Sequence, residues 1–254
     1  MVPLFEHSSS PGAAGPAFVA GATGFTGREV VRLLAARGIL TYAHVRPDSP
    51  RREEWQQRLQ RLGAQVDCTP WEEGAMAATL ARLRPAYVFA LLGTTRRLMK
   101  QVARTGQDPQ SQSYQNVDYG LTALLLRAAM AAGSRPRFIY LSAAGVNERA
   151  RSPYYQARAR AEAELKASAL PFLIARPSLI SGPGRDEPRP GERIGAAVVD
   201  GLLRVAGLFG GWRLQARYAS TTNTALAEAL VRLALDPAAA NRTFESESLR
   251  PVEE

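Results

Sequence analysis

Residues 18–34 read Phe-Val-Ala-Gly-Ala-Thr-Gly-Phe-Thr-Gly-Arg-Glu-Val-Val-Arg-Leu-Leu, and no other stretch constrains the chain as much. A short apolar run from Ala17 to Ala20 meets three glycines, Gly21, Gly24 and Gly27, and apolar residues in helical register follow. The pattern is a strand, a tight turn and the start of a helix. At such a start the first backbone N–H groups lack intrahelical acceptors and the positive end of the helix dipole converges with them, which suits a dinucleotide pyrophosphate. Gly21 permits the sharp turn, Gly24 lets the backbone approach phosphate, and Gly27 lets the helix pack close to the strand. Gly21, Thr23, Gly24, Phe25, Thr26 and Gly27 are therefore the expected cofactor cradle. A glycine triplet by itself signals only a turn; its place between a first strand and a helix makes it specific.

The rest of the chain repeats the alternation. Leu40–Val45, Ala64–Asp67, Ala86–Leu92, Arg137–Ser142 and Phe172–Ala175 read as strands. Helical patterns run over 51–62, 74–83, 117–132 and 155–167. Strands and helices alternating with short connections predict an α/β fold, a Rossmann-like doubly wound parallel sheet. Residues 181–193 are rich in proline and glycine; apolar helices are expected near 194–207 and 224–235, and an edge strand over Arg242–Glu245. The expected organisation is a flexible tail over 1–15 and a single NAD(P)-binding domain over 16–254, with 177–245 forming a small substrate lobe. At 254 residues one domain with a sizeable core is the economical reading.

Composition removes several function classes. The net charge of +9 invites a nucleic-acid reading, but all basic residues except Lys100 and Lys166 are arginines scattered along helices without an aromatic platform. No run of about 18 apolar residues is present, so no membrane span is expected. The single cysteine, Cys68, fits a reducing cytoplasm, and the two histidines, His7 and His44, have no metal-ligand spacing. There is no G-x-S-x-G elbow and no Walker lysine.

The G-x-x-G-x-x-G spacing of Gly-Ala-Thr-Gly-Phe-Thr-Gly resembles the atypical or extended short-chain dehydrogenase/reductases, and within them the Tat-interacting-protein-like oxidoreductases and their bacterial relatives. Further stretches carry the likeness: Leu92-Gly93-Thr94-Thr95-Arg96, Leu141-Ser142-Ala143-Ala144-Gly145, Tyr154-Tyr155-Gln156-Ala157-Arg158, Arg176-Pro177, and Arg189-Pro190-Gly191-Glu192. The resemblance implies that Asp67 and Cys68 meet the adenine, although an Asp at a strand end equally suits an Asx turn. Leu92, Gly93 and Thr94 close the fourth strand at the carboxyl edge where ligands of such sheets bind: Gly93 allows backbone approach to the cofactor ribose, and Thr94, Thr95 and Arg96 offer donors to phosphate or substrate, with Arg96 equally suited to a solvated loop. The resemblance places Pro177 and Leu179 around the nicotinamide. It also implies a catalytic Ser142 and Tyr154. Where the family has a lysine four residues after the tyrosine, this chain has Arg158, which keeps the positive charge and shares a helix face with Tyr154. Tyr155 allows a one-residue slip, but its fourth successor is the uncharged Ala159.

Cofactor preference turns on the end of the second strand. Arg46 stands where a carboxylate would bind the 2′-hydroxyl of NAD, and a guanidinium offers a fork of donors to a 2′-phosphate. Arg51 or Arg52 is able to approach the same pocket, while a surface role for Arg46 and the nearby Asp48 keep NAD(H) open. The expectation is NADP(H) in preference to NAD(H), with no metal. The function implied is NADPH-dependent reduction of a small carbonyl substrate. The alternatives are a regulatory or interaction protein that binds NADP(H) without turnover and, less favoured, an epimerase. Partners beyond the small molecule are not expected, neither nucleic acid nor membrane; the helices at 121–132 and 155–167 offer a homodimer face.

Overall fold

The computed structural model describes residues 14–94, 113–182 and 221–250. Among these, β1 (Ala17–Ala20), β2 (Thr41–His44), β3 (Gln65–Asp67), β4 (Tyr87–Ala90), β5 (Arg137–Leu141) and β6 (Phe172–Arg176) are joined by β9 (Arg242–Glu245) in one sheet. The spatial order is β3-β2-β1-β4-β5-β6-β9 and every pairing is parallel. The expected edge strand at the C-terminal end is thus real and closes the sheet beside β6.

Parallel strands buried on both faces must be apolar on both, and the alternation of side chains sorts them. Phe18, Val88, Phe138, Tyr140 and Ile174 point to one side, and Val19, Phe89, Ile139 and Leu173 to the other. The first side is covered by α3 (Glu73–Leu83), α4 (Thr122–Ala131) and α5 (Pro153–Ala167). The second is covered by α1 (Phe25–Ala36), α2 (Arg52–Arg61) and α6 (Asn223–Leu235). A two-strand ribbon, β7 (Ile180–Ser181) with β8 (Thr221–Thr222), stands apart from the main sheet. The strand order reverses between β1 and β4, and ligands of open α/β sheets bind in the crevice at such a point.

Two expectations change. The helix foreseen from Val117 begins as a π-helical segment, Tyr114–Leu121, before continuing as α4. Widened turns of this kind are rare and recur at functional sites; here the segment carries the fully buried Asp118. The proposed dimer face is also largely used up internally. Leu125, Leu126 and Ala128 are buried in the core shared with α3, leaving Met130 as the exposed large apolar residue of α4. No helix among the described residues is long and apolar enough to cross a membrane, and none of their His, Cys, Asp and Glu side chains cluster as a metal site.

Candidate cofactor and active site

The glycine turn has the geometry its sequence requires. Gly21 adopts φ +82°, and a Cβ there would lie under 3.0 Å from the Leu91 carbonyl oxygen. Leu91 in turn donates its N–H to Ala20 at 3.0 Å, so the turn is pressed against the exit of β4. Gly24 donates to the Gly21 carbonyl at 2.9 Å and is the N-cap of α1, with no side chain capping the helix. A Cβ on Gly27 would meet the Gly21 carbonyl well inside van der Waals contact, so the close approach is between α1 and the turn. Thr26 is buried, and Thr23 and Phe25 are partly so. Asn223 belongs to none of the motifs that point to the site. Its Nδ2 donates to the Phe25 carbonyl at 3.3 Å, and its Oδ1 is buried without a partner among the described residues. Gly182, at φ +138°, leaves room for that amide. An open helix N-terminus, a backbone cradle that side chains would fill and an orphaned buried acceptor beside it all fit a dinucleotide.

At the end of β2, Arg46 is exposed and meets only Asp48, at 3.9 Å, among the described residues. Arg51 is engaged elsewhere: its guanidinium forks onto Glu54 at 2.7 and 2.6 Å and stacks 5.1 Å from the centre of the Trp55 ring. Arg52 donates to the Pro47 carbonyl at 3.4 Å. Asp67 forms the Asx turn, accepting from the Thr69 N–H and hydroxyl at 3.0 Å each. Cys68 accepts from Gln56 at 3.5 Å. His44 is buried and donates Nε2–H to the Thr69 carbonyl at 2.8 Å, a packed residue as its position in a strand suggests.

The exit of β4 is turned inward. Thr94 is buried and donates its N–H to Asp118 Oδ2 at 3.0 Å, while its hydroxyl has no partner among the described residues. A Cβ on Gly93 would come within 3.2 Å of Arg158 Nη2 and 3.4 Å of Asp118 Oδ1, so the glycine makes room for this ion pair. Leu92 packs partly buried against the core. Arg158 Nη2 donates to Asp118 Oδ1 at 2.8 Å, Nη1 donates to the Leu141 carbonyl, and the guanidinium lies 4.8 Å from the centre of the Tyr154 ring. Pro153 opens α5, placing Tyr154 in its first turn, with its ring edge-on to Tyr114 and Tyr155. Burial pushes the Tyr154 phenol above its ordinary range; Arg158 pulls it back only in part, and Asp118 and Tyr155 oppose that pull. Desolvation thus outweighs the pull of the cation on the phenol.

Ser142, expected as a catalytic residue, sits at the end of β5. It is 3% exposed and donates its hydroxyl proton to Glu162 at 2.6 Å. Glu162, itself buried on α5, accepts Arg176 Nε at 2.9 Å and Nη2 at 2.6 Å, while Arg176 Nη1 reaches Glu245 at 2.9 Å. Ser142 therefore belongs to a buried polar network joining β5, α5, β6 and β9, and its one donor is taken. The loop after β6 is fixed by the same region: the Pro177 carbonyl accepts from Ala144 at 2.8 Å, and the Leu179 carbonyl from Thr221 at 3.0 Å. Thr95, Arg96, the helix near 194–207 and Arg189-Pro190-Gly191-Glu192 lie outside the described residues.

The comparisons agree with this architecture. No curated protein sequence matches the chain. Among solved structures it is similar to UDP-glucose 4-epimerase of Thermotoga maritima, with 19% identity over 91% of this chain and 75% of that one and a TM-score of 0.61. It is also similar to the WbmH enzyme of Bordetella bronchiseptica, solved with NAD+, at 17% identity over 87% and 72% of the chains with a TM-score of 0.58. Leucoanthocyanidin reductase of Vitis vinifera, solved with NADPH, matches at 17% identity over 90% and 67% with a TM-score of 0.59. At such identities these structures share the fold. A family model described as NAD(P)H-binding matches residues 21–199. That span runs from the first glycine of the turn through α5 and β6, and the chain belongs to this NAD(P)H-binding family.

Proposed function

We propose that the protein is an NADPH-dependent oxidoreductase that reduces a small carbonyl substrate. The observation that carries the reading is the β4 exit. Within three residues it touches the glycine turn, through Leu91 against Gly21, and the Tyr154–Arg158 pair, through Gly93 against Arg158. Gly21, Gly24, Gly27 and the first turn of α1 would hold the pyrophosphate, Arg46 the 2′-phosphate, and the loop Pro177–Leu179 the nicotinamide end. Bound NADPH supplies the reducing hydride. Tyr154 gives its phenolic proton to the substrate oxygen and recovers a proton from water; being neutral at physiological pH, it is always loaded for this step. Arg158 fixes the phenol by covering its ring. Ser142 holds the end of β5 through Glu162, a positioning role. The cytoplasm, a reducing compartment, suits the cofactor, and residues 177–245 form the substrate lobe in this reading.

A second reading is cofactor binding without turnover, in a regulatory or interaction protein. The commitment of the Ser142 proton to Glu162 favours it, because that donor is then not offered to a substrate. Fluorescence titration with NADPH and NADH, followed by a panel of aldehydes and ketones, separates the two. Tyr154→Phe is expected to lower turnover by about 10²–10⁴-fold with NADPH affinity nearly unchanged. Wild-type turnover in Tyr154→Phe removes Tyr154 from the chemistry, whereas tight NADPH binding with no carbonyl reduced leaves the sensing reading standing.

A further inference from the structure

Asp118 has no part in the motifs that point to the site, yet it is the residue around which the site is built. It is fully buried in the π-helical segment. Both its oxygens accept from donors: Oδ1 from Arg158 Nη2 at 2.8 Å and Oδ2 from the Thr94 N–H at 3.0 Å. With a donor on each oxygen the geometry is that of a carboxylate, although burial works to raise the carboxyl while Arg158 and the Thr94 amide pull it down. Arg158 is about as buried, at 6% exposure, and its other amino group is bound to the Leu141 carbonyl.

We propose that Asp118 is a positioning residue that locks Arg158 between β4 and β5 and balances its charge, so that Tyr154 rests as the protonated phenol, the form that donates to a substrate oxygen. The inference rests on the oxidoreductase reading. A lone buried cation 4.8 Å from the ring would favour tyrosinate, the form that accepts a proton from an alcohol. A cation whose charge is cancelled by a carboxylate at 2.8 Å acts on the phenol as a dipole, and its influence falls off faster with distance. Among the described residues, the other groups facing the phenol are Tyr155 from the same helix, Tyr114 from the π-helical segment and Tyr140 from β5. All three are neutral when protonated, so Arg158 and Asp118 set the local charge. The proton leaves the Tyr154 oxygen for the substrate oxygen, and water reprotonates the tyrosinate.

The test needs no substrate. Tyrosinate absorbance is followed as pH is raised, and the Tyr154 component is taken as the difference between each protein and its own Tyr154→Phe form. Asp118→Asn, nearly isosteric, is expected to lower the Tyr154 midpoint by about one pH unit or more, since it leaves the guanidinium uncompensated. Asp118→Asn with Arg158→Met removes both charges and should return the midpoint to within about one unit of wild type. Exchange of a whole buried pair for apolar groups is often tolerated, so this double variant decides the matter if Asp118→Asn alone does not fold. A folded Asp118→Asn with a smaller shift overturns the proposal, and so does a double variant whose midpoint rises by more than about one unit. NADPH titration of the same proteins is read separately. If wild type fails to bind NADPH the oxidoreductase reading falls, while the tyrosine titration still answers for Asp118.

Discussion

Gly24 and Gly27 look equivalent in the sequence, yet the structure separates what each glycine is for, and the pair gives a sharp test. At Gly27 an added methyl would drive into the carbonyl of Gly21 and come within 3.1 Å of Ala22 Cα, all of it backbone. Neither partner is able to swing away, so Gly27→Ala must push α1 off the turn. Overpacking of this kind costs about 1–3 kcal/mol. At about 2–4 °C per kcal/mol for a domain of this size, the melting temperature should fall by roughly 2–12 °C. Gly24 has φ −73° and ψ 167°, ordinary extended backbone, and its Cβ would approach one atom, the Gly21 oxygen, at 3.1 Å. Gly24→Val should therefore leave the fold nearly intact. Its side chain, however, would stand over the helix N-terminus, where charge-assisted hydrogen bonds to phosphate are worth about 1.5–3 kcal/mol each. Loss of one such contact weakens NADPH binding about ten- to hundredfold. Thermal unfolding of the apo proteins and NADPH fluorescence titration together make the assay. A folded Gly24→Val protein that binds NADPH like wild type would refute the assignment of the turn to pyrophosphate. If Gly27→Ala melts at the wild-type temperature, the backbone contact is not as tight as described.

Two further outcomes follow from single side chains. Arg46→Asp should reverse a preference for NADPH over NADH, because it exchanges a guanidinium with only a weak contact to Asp48 for a carboxylate that repels the 2′-phosphate; equal binding of both cofactors before and after the change rules the assignment out. Burial lowers the pKa of His44 below its ordinary 6.5, so between those two values the unfolded chain binds more protons than the folded one. Stability contributed by neutral His44 is therefore complete above about pH 6.5 and is lost as pH falls through the folded value. The melting temperature of wild type should drop over that interval, and His44→Gln should flatten the drop; parallel curves for the two proteins would contradict this account.

What the sequence disclosed was local. The glycine turn and the strand cores are legible because their signals lie within a few consecutive residues: Ala17–Ala20 is apolar throughout, and Gly21, Gly24 and Gly27 each answer to atoms of the same turn or the next strand. The polar frame of the site is not local. Asp118 finds Arg158 at a separation of 40 residues, Arg176 finds Glu245 at 69, and Asn223 finds Phe25 at 198. A polar residue on a helix reads as solvated unless its neighbours in space are known. One signal was present: Asp118 stands between Val117 and Tyr119, and the three are buried together. The surroundings of Gly93 and Thr94 are hidden for the same reason: their place at the β4 exit is local, but Asp118 beside them lies 24 residues beyond Thr94.

The helix that carries Tyr154 shows why so much charge is buried here. α5 offers few apolar contacts: Ala157, Ala161 and Leu165 are its buried apolar residues, and two of the three are alanines. Leucine-rich packing would hold such a helix more strongly, but it would also let it slide or roll among nearly equivalent contacts. Arg158 and Glu162 lie on one face at i and i+4 and are both buried. Each binds a partner from a different element, Asp118 from the π-helical segment and Arg176 from β6. The two pairs hold the helix from opposite sides of its buried face. Removing one partner of such a pair costs about 3–5 kcal/mol, because the other charge is left in a place where water does not reach it. Displacement of α5 by even a fraction of a turn would separate both pairs at once. The orientation of the Tyr154 ring, one turn before Arg158, is thereby tied to two directional contacts, and in the proposed role of proton donor, which requires a substrate oxygen within hydrogen-bond distance, Tyr154 needs that constraint more than it needs burial.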